Sequence, residues 1–244
     1  MLRPDLTPIA PPAPLHPLPA QFKVLVWNVH KLPFTRLNQC LPQHLYDLCL
    51  LQEAVLSTHT ATHPRYPWAM SPNLQHRQRY YGVLTSSRFG LRPMHQHLSR
   101  RRELRLFTHK SALLTQHILA DGQPLRVLNL HLLLTAPRRT LYRELSLLAE
   151  QLTDYRGPLI IAGDFNSWSR PRLKLLQQWA ERLSLHWPTP QQAHHVRHYR
   201  QRPLDHLLYR GLELAAFYAL DVPCSDHNPL VAHFSRPPQA QPLP

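Results

Sequence analysis

Residues 159–169 read LIIAGDFNSWS, and this stretch decides how the rest of the chain is interpreted. Its apolar run, Leu159–Ala162, ends abruptly at Gly163 and Asp164. Short apolar runs bounded by turn-forming residues are typical of buried β-strands. We therefore predict a strand that presents a carboxylate at its end. Three other runs end in the same manner: Phe22–Trp27 before Asn28, Leu48–Leu51 before Gln52-Glu53, and Leu125–Leu130 before His131.

Further apolar runs predict more strands, and two amphipathic segments predict helices. The additional strands are Tyr81–Thr85, Leu104–Leu114, Leu204–Tyr209 and Pro229–Phe234, and the helices are Thr140–Leu152 and Arg172–Leu183. Many strands with few helices favour packed sheets clad by helices, and no linker interrupts residues 21–235.

Polar residues of an unusual kind stand beside the predicted strands. Four of the chain's fourteen acidic residues are among them. Carboxylates next to buried strands are costly unless something compensates their charge. A hard divalent cation would do so, because Mg²⁺ prefers oxygen ligands. The set is Asn28, Glu53, His131, Asp164, Asn166, Asp205, Asp226 and His227.

Each of these residues also has an ordinary structural interpretation. Asn28 alone is typical of a turn at a strand end. Glu53 alone could be a helix N-terminal charge, and the residues around Asp164 could form a turn with side-chain hydrogen bonds to the backbone. The functional interpretation depends on all of them occurring together, each at a strand terminus.

The sequence resembles the endonuclease/exonuclease/phosphatase superfamily in six blocks: VLVWNVHK, LCLLQEA, LRVLNLHLL, LIIAGDFNSWS, RPLDHLLYRG and SDHNPLVAHF. That superfamily includes DNase I, abasic-site endonucleases, sphingomyelinases and inositol polyphosphate 5-phosphatases. The resemblance covers roughly residues 22–235 and is greatest to the bacterial YafD-type branch. It implies a DNase I-like four-layer α/β/β/α sandwich of two packed mixed sheets clad by helices. It also implies Mg²⁺-dependent phosphoester hydrolysis, with Mn²⁺ as a possible substitute.

The resemblance assigns roles to individual residues of this chain. The implied metal ligands are Asn28, Glu53 and Asp226. The implied catalytic residues are His131, Asp164, Asn166, Asp205 and His227. Asn166 and Arg102 are the implied phosphate-binding residues. The tyrosine that many nuclease relatives carry before the central strands has no distinct counterpart, because neither Tyr80 nor Tyr81 is singled out by spacing.

Composition bounds the class of protein. The 244 residues carry 28 Lys+Arg against 14 Asp+Glu, a formal net charge of +14. Seven of the 26 prolines fall in residues 1–20 and four in 236–244. We therefore expect a disordered N-terminal tail over 1–20, a catalytic domain over 21–235 and a C-terminal tail over 236–244.

Several classes are excluded or disfavoured by what the sequence lacks. Three cysteines without CxxC spacing argue against a disulfide framework or a zinc ribbon. The sequence contains no GxGxxG or GxSxG motif. No apolar run approaches a membrane span, and prolines interrupt any signal-like stretch near Met1, so a cytoplasmic protein is expected.

Arginine-rich segments suggest an anionic partner. Residues 77–110 carry nine Lys and Arg residues against the single acid Glu103, and residues 197–202 add three arginines. Arginine suits phosphate recognition, although only four lysines in the chain make an arginine-biased genome an equal explanation. The neighbouring His194, His195 and His198 fit a polar loop better than a metal site.

Three functional hypotheses remain open from the sequence. The first is a divalent-metal-dependent phosphodiesterase, specifically an endo- or exonuclease acting on DNA or RNA. The second is a phosphatase or phospholipase of the same superfamily acting on a lipid or small phosphate ester. The third is a non-catalytic nucleic-acid-binding module, which the presence of every motif residue disfavours.

Overall fold

The computed structural model describes residues 14–57, 65–103 and 108–236. Thirteen strands and three α-helices occur in these ranges. The helices are α1 (Phe34–Cys40), α2 (Arg138–Glu150) and α3 (Arg170–Arg182). The two longer helices were predicted from their apolar periodicity, and each begins two residues earlier than expected. A proline caps the start of α2, and another lies in the first turn of α3.

The first sheet has six strands in the order β12-β13-β1-β2-β4-β3. Only β1 and β2 are parallel neighbours in it. Their shared direction brings Asn28, the last residue of β1, into register with Gln52 in the middle of β2. The strands are β1 (Gln21–Asn28), β2 (Leu48–Ser57), β3 (Trp68–His76), β4 (Arg79–Ser87), β12 (Glu213–Ala219) and β13 (Leu230–Ser235).

The second sheet has five strands in the order β11-β8-β7-β6-β5. Its one parallel pair is β7 and β8, which places His131 beside Asp164. The antiparallel pair β8 and β11 places Asp205 on the other side of Asp164. The strands are β5 (Arg92–Leu98), β6 (Ser111–Ile118), β7 (Pro124–His131), β8 (Leu159–Asp164) and β11 (Asp205–Arg210), and a separate hairpin joins β9 (His198–Tyr199) to β10 (Arg202–Pro203).

Alternating side chains divide the interior into layers. Val24, Val26 and Leu50 of the first sheet pack against Val127 and Ile160 of the second. The intervening residues point outward, where Leu25 and Trp27 meet α1. On the far side, Leu130 and Ile161 meet α2 and α3. The predicted sandwich of two mixed sheets clad by helices is confirmed, and in the described residues the α-helix that covers the first sheet is the short α1.

Some sequence-based boundaries were wrong. Strands β3, β5 and β12 were not predicted, because their exposed or half-buried residues break the apolar pattern. The strand expected over Leu104–Leu114 begins only at Ser111, and residues 104–107 lie outside the described part of the chain.

The tail prediction was also wrong for residues 14–20. The Leu18 side chain is buried in the core between the sheets, and its N–H donates to Ile118 O over 2.8 Å. At the other end, the Arg236 guanidinium donates to Asp121 Oδ2 over 2.8 Å. These residues are fixed by long-range contacts that a count of prolines does not reveal. Residues 1–13 and 237–244 lie outside the described chain.

Cys40 and Cys224 form a disulfide bond, with their Cα atoms 6.3 Å apart, and Cys49 is a buried free thiol. The sequence argued against a disulfide framework but did not indicate this single bond, because 184 residues separate the two cysteines and only the fold brings them together. The expected cytoplasmic location stays a prediction. In the described ranges, no helix combines the length and apolar character that a membrane crossing requires.

Candidate active site

The strand ends of both sheets converge on one cleft of about 400 Å³. Seven of the nine predicted site residues line it together with Lys110, which the sequence assigned only to a basic segment. The predicted residues in the lining are Asn28, Glu53, His131, Asp164, Asn166, Asp226 and His227. Of the remaining predicted residues, Asp205 lies behind His227, whereas Arg102 does not line this cleft.

A β-bulge directs Glu53 into the cleft. The register of β2 against β4 shifts between Leu51 and Ala54, and Glu53 adopts a left-handed φ of 52°. Opposite the bulge, Gly82 lies so close to β3 that a Cβ atom would stand 2.2 Å from Ser71 O. Bulges commonly reorient a side chain near a functional site, and this one places a carboxylate where regular pleating would not.

Two lysines face the Glu53 carboxylate. Lys31 Nζ lies 3.7 Å from Oε2, and Lys110 Nζ lies 3.9 Å from Oε1. Both separations are at the outer limit of an ion pair, so they leave the carboxylate oxygens accessible to another ligand.

Asp164 is the most central group of the site. Its carboxylate is buried and accepts hydrogen bonds from Asn28 Nδ2 at 3.1 Å and from the Asn166 N–H at 2.9 Å. Burial raises the Asp164 pKa, as does the neighbouring Asp205, whereas His227 and Lys110 lower it; the resulting pKa is about 7. A carboxyl group that titrates near neutrality is suited to proton transfer.

The sequence before Asp164 makes its position possible. Gly163 has a φ of 142°, and a Cβ atom there would lie 2.0 Å from Leu130 O on the parallel neighbour β7. Only glycine permits this close approach of two backbones. Gly163 therefore allows the end of β8, at Asp164, to approach the end of β7, at His131.

Arg172 holds the loop that follows Asp164, and the sequence analysis missed this role. The buried guanidinium donates to Asn166 O over 2.8 Å, to Ala136 O over 3.1 Å and to Leu133 O. Burial lowers the Arg172 pKa to about 10, although Glu103 and Asp164 oppose this shift. No signal in the sequence distinguishes this arginine from the exposed ones of the same amphipathic helix.

Asn166 is held from both sides. It adopts a left-handed φ of 49°, and its Nδ2 donates to Leu132 O over 2.9 Å. One amide hydrogen and the amide oxygen remain for a ligand in the cleft.

His227 and Asp205 form a buried pair. His227 Nδ1 lies 2.7 Å from Asp205 Oδ2, and His227 Nε2 lies 4.0 Å from Asp164 Oδ2. Burial alone would lower the His227 pKa, but the carboxylates of Asp205, Asp164 and Asp226 together raise it to about 9. Asp205 therefore orients a cationic imidazolium whose Nε2–H faces Asp164.

The backbone of His227 is anchored to β1. Trp27 Nε1 donates to His227 O over 2.7 Å, and Ser225 Oγ donates to Asn28 O over 2.8 Å. The disulfide at Cys224 restrains the same loop.

His131 is neutral. Burial, Lys110, His227 and Lys31 lower its pKa well below the usual value. Lys110 Nζ donates to His131 Nε2 over 2.8 Å, and the same nitrogen lies 3.3 Å from Asp164 Oδ2. His131 thus holds the Lys110 ammonium group beside the central carboxylate.

Asp226 and Arg102 occupy less central positions. Asp226 stands at the rim, 44% exposed, with Oδ1 3.5 Å from His30 Nδ1. Arg102 Nε donates to His109 Nε2 over 3.3 Å. Its neighbour Glu103 accepts from the N–H groups of Leu134 and Thr135 at 2.8 Å. Arg102 as a phosphate ligand stays a prediction.

The donor chemistry of the cleft fits a hard cation. Carboxylates from Glu53 and Asp226 and the amide oxygen of Asn28 are the ligand types that Mg²⁺ prefers. Asp205 Oδ1 is buried without a hydrogen-bond partner in the described chain. Asp164, Asp205 and His227 also present ligand atoms within 4.8 Å of one another, which makes them a second group of side chains able to bind a cation. Within the described ranges, the histidines at 194, 195 and 198 form no comparable cluster.

A polar link between the sheets lies directly beneath the site. Gln52 Nε2 donates to Asn129 Oδ1 over 2.7 Å, and Asn129 Nδ2 donates to Leu84 O over 2.9 Å and to Leu51 O over 3.2 Å. The sequence marked Gln52 only as the residue before Glu53. Asn129, inside an apolar run, was the available signal for a buried amide.

Comparisons with known proteins agree with this architecture. The model of the Endonuclease/Exonuclease/phosphatase family matches residues 25–227. A UPF0294 protein of Yersinia enterocolitica is 35% identical over 232 residues, which are 93% of this chain and 88% of that protein. The Beutenbergia cavernae endonuclease/exonuclease/phosphatase has a TM-score of 0.64 at 16% identity, covering 88% of this chain and 72% of its own. The human Nocturnin catalytic domain, with bound sulfate, has a TM-score of 0.63 at 18% identity, covering 90% and 96%. The chain therefore belongs to the endonuclease/exonuclease/phosphatase family, and UPF0294 proteins are among its relatives.

Proposed function

We propose that residues 21–235 form the catalytic domain of a divalent-metal-dependent phosphodiesterase that cleaves DNA or RNA. Members of this family hydrolyse phosphoester bonds. The observation that carries the proposal is the convergence, in one cleft, of the buried Asp164 with the Asp205–His227 pair and the accessible Glu53 carboxylate. These groups supply a proton acceptor, a cationic donor and a hard-cation ligand.

Glu53, Asn28 and Asp226 would hold Mg²⁺, for which Mn²⁺ could substitute. When bound, the ion supplies Lewis-acid polarisation of a phosphoryl oxygen. Lys31 and Lys110 then stand beside the ligand set, where they attract the anionic substrate.

The chain's own residues perform the proton movements. Asp164 accepts a proton from the attacking water as the new oxygen–phosphorus bond forms. The His227 imidazolium, oriented by Asp205, donates a hydrogen bond to a phosphoryl oxygen as negative charge develops there. The bond to the leaving oxygen breaks, and that oxygen takes a proton from His227 or water. The free amide hydrogen of Asn166 positions the phosphate from the other side, where His131 holds the Lys110 ammonium group.

A nucleic acid is favoured as substrate by the cations and aromatic rings of the cleft, which include Lys110, Arg197, Arg200, Trp168 and Tyr199. The fold alone does not decide the substrate. D. rerio TDP2 complexed with single-strand DNA product and a Bacteroides thetaiotaomicron mannosyl-6-phosphatase both share it, with TM-scores of 0.56 and 0.60. A lipid or small phosphate ester is therefore the second candidate, and a non-catalytic binding module is the third.

A substrate panel tests the proposal. Purified protein with Mg²⁺ is incubated with plasmid, single-stranded DNA, RNA, an inositol phosphate and a sphingolipid phosphodiester. We expect cleavage of nucleic acid, its loss in EDTA, and a decrease of at least about 100-fold in Glu53→Gln, Asp164→Asn and His227→Asn. Glu213→Gln, which changes an exposed acid that contacts Ser235, is the matched control.

Each alternative has its own outcome. Hydrolysis confined to the inositol or sphingolipid substrate would establish the second candidate. Full activity in all three cleft variants would rule out this catalytic site. Binding of nucleic acid without hydrolysis of any ester would establish the third candidate.

A further inference from the structure

We propose that Trp168, Tyr199 and Arg200 form a stacking site for an unpaired nucleobase next to the phosphate that is cleaved. This inference rests on the proposed function, which it deepens by specifying single-stranded nucleic acid. All three residues line the same cleft as Asp164 and Asn166. None of them was among the residues predicted to act in the site.

The two aromatic rings form a corner. The ring centroids of Trp168 and Tyr199 are 6.2 Å apart, and the ring planes are inclined at 88°. The guanidinium carbon of Arg200 lies 5.5 Å from each centroid. A planar group entering the corner would meet a ring face, a ring edge and a cation.

Trp168 is rigidly held. Its Nε1 donates to Leu134 O over 2.8 Å. The buried guanidinium of Arg172, a residue of α3, lies 5.9 Å from the Trp168 ring centroid. The same arginine fixes Asn166, two residues earlier in the chain. The ring therefore has a set position relative to the phosphate-binding groups, as a base attached to that phosphate would require.

Tyr199 and Arg200 are presented by a strained hairpin. The turn between β9 and β10 consists of Arg200 and Gln201, with φ values of 50° and 62°. Two-residue turns with both φ values positive normally contain Asn and Gly, and side chains with a Cβ disfavour this region. Unfavourable backbone conformations retained in a loop are concentrated at functional sites. Tyr199 is also 50% exposed, which leaves the ring available for a ligand.

The chemistry of the corner selects a nucleobase. A base has a flat π-face for Trp168 or Tyr199, and its attached phosphate complements Arg200 and the neighbouring Arg197. An acyl chain would gain nothing from the guanidinium groups. In a duplex both faces of a base are already stacked, so the corner favours single strands or unpaired ends.

Binding in the absence of catalysis tests the inference. Fluorescence anisotropy in EDTA compares a labelled ten-nucleotide poly-dT with an oligomer of the same length and charge in which tetrahydrofuran abasic units replace the nucleosides. We expect the wild type to bind poly-dT about 5- to 100-fold more tightly than the abasic oligomer. Trp168→Ala and Tyr199→Ala should each remove most of this difference, because each removes an aromatic ring that stacks the base. Both variants leave the phosphates and the cations unchanged.

A matched control is available on α2, outside the cleft. Tyr142 on α2 is 46% exposed, and the Arg182 guanidinium carbon lies 6.0 Å from its ring centroid. Tyr142→Ala should retain the wild-type preference for poly-dT. Arg200→Gln should weaken binding of both oligomers, whereas Arg200→Lys should restore the salt-dependent part. Thermal melting verifies that the variants are folded.

Equal binding of the two oligomers by the wild type, or an unchanged preference in Trp168→Ala and Tyr199→Ala, would overturn the inference. So would binding to phosphatidylcholine–phosphatidylglycerol vesicles that depends on Trp168 and Tyr199 when poly-dT binding does not. Cleavage with Mg²⁺ is measured separately. Cleavage without base-dependent binding refutes the stacking site alone, whereas base-dependent binding without hydrolysis of any ester refutes the proposed function alone.

Discussion

Replacing Arg172 by Met should uncouple two properties that a buried arginine contributes, namely stability and the geometry of the catalytic loop. The guanidinium donates to the carbonyl oxygens of Asn166, Ala136 and Leu133. Methionine fills a similar volume but donates nothing. The variant therefore leaves three carbonyl groups without their donors.

The magnitude follows from these contacts. Each buried acceptor without a partner costs about 1–2 kcal/mol, so three cost about 3–6 kcal/mol. Removing the cation recovers about 1–2 kcal/mol of its desolvation penalty. We expect the free energy of unfolding to decrease by about 1–5 kcal/mol. A displacement of about 1 Å at Asn166 is enough to lower kcat about 100-fold.

Arg210 provides a matched control at the other end of β11. It is also buried, and it donates to Gly157 O over 3.2 Å, to Leu183 O over 2.5 Å and to Tyr155 O. Arg210→Met should destabilise the protein to a similar extent. It should leave kcat of the folded fraction near the wild-type value, because β11 separates it from Asp205 by about 17 Å.

The assay combines urea denaturation, followed by tryptophan fluorescence, with kcat measured on the best substrate of the panel at a temperature well below both midpoints. Equal losses of kcat in the two variants would show that the loss reflects general destabilisation. A kcat for Arg172→Met within about two-fold of wild type would refute the role of Arg172 in positioning Asn166.

Three further predictions concern groups outside the proposed ligand set. His206 accepts a hydrogen bond from Trp187 Nε1 at 3.3 Å and lies 2.7 Å from Ser167 Oγ, and burial lowers its pKa to about 3. The stabilisation from neutral His206 is complete above about pH 6.5 and is lost as the pH falls towards 3, at about 1.4 kcal/mol per pH unit. Between pH 7 and 4.5, urea denaturation should show that the free energy of unfolding of His206→Gln decreases by about 2.5 kcal/mol less than that of the wild type. Equal decreases in the two proteins would contradict this prediction. Reduction of the Cys40–Cys224 disulfide, or the substitution Cys40→Ser, should lower the free energy of unfolding by about 2–5 kcal/mol. Either change should also reduce kcat, because the disulfide restrains the loop that carries His227. Dithiothreitol should not affect the serine variant. Gly163→Ala should lower the free energy of unfolding by more than about 2 kcal/mol, since its Cβ would lie 2.0 Å from Leu130 O. Gly122→Ala should lower it less in the same denaturation assay, because its Cβ meets no atom within 4 Å, although the φ of Gly122 is also positive.

The sequence was informative wherever apolar runs are continuous. The strands ending at Asn28, His131 and Asp164 are buried on both faces, so their pattern is an uninterrupted run. The helices α2 and α3 pack one face on the second sheet, and their period was equally clear. Edge strands such as β5 alternate irregularly between exposed and half-buried residues, and no local pattern distinguishes them from loops.

The candidate site was predictable as a set of residue types but not as an arrangement. Glu53, Asp164 and His227 carry chemistry that local sequence can indicate. Lys110 hydrogen-bonds a residue 21 positions away, and Arg172 links Asn166, six positions away, to residues 36 and 39 positions away; the longer separations are bridged only in the folded chain. The aromatic corner was missed for the same reason, because Trp168 and Tyr199 are 31 residues apart and meet only across the cleft.

The amide pair Gln52–Asn129 has a consequence for how this scaffold tolerates change. Apolar contact between two sheets is non-directional, so hydrophobic burial alone would permit one sheet to shear against the other by a fraction of a residue with little energetic penalty. Glu53 and Asn28 belong to one sheet, and Asp164 and His131 to the other, so any such shear would pull the two halves of the cleft out of alignment. Hydrogen bonds from Gln52 to Asn129 and from Asn129 to Leu84 O form at only one relative position of the two sheets. The buried amides fix the position of one sheet relative to the other. The surrounding aliphatic residues can therefore vary in size without misaligning the two halves of the cleft.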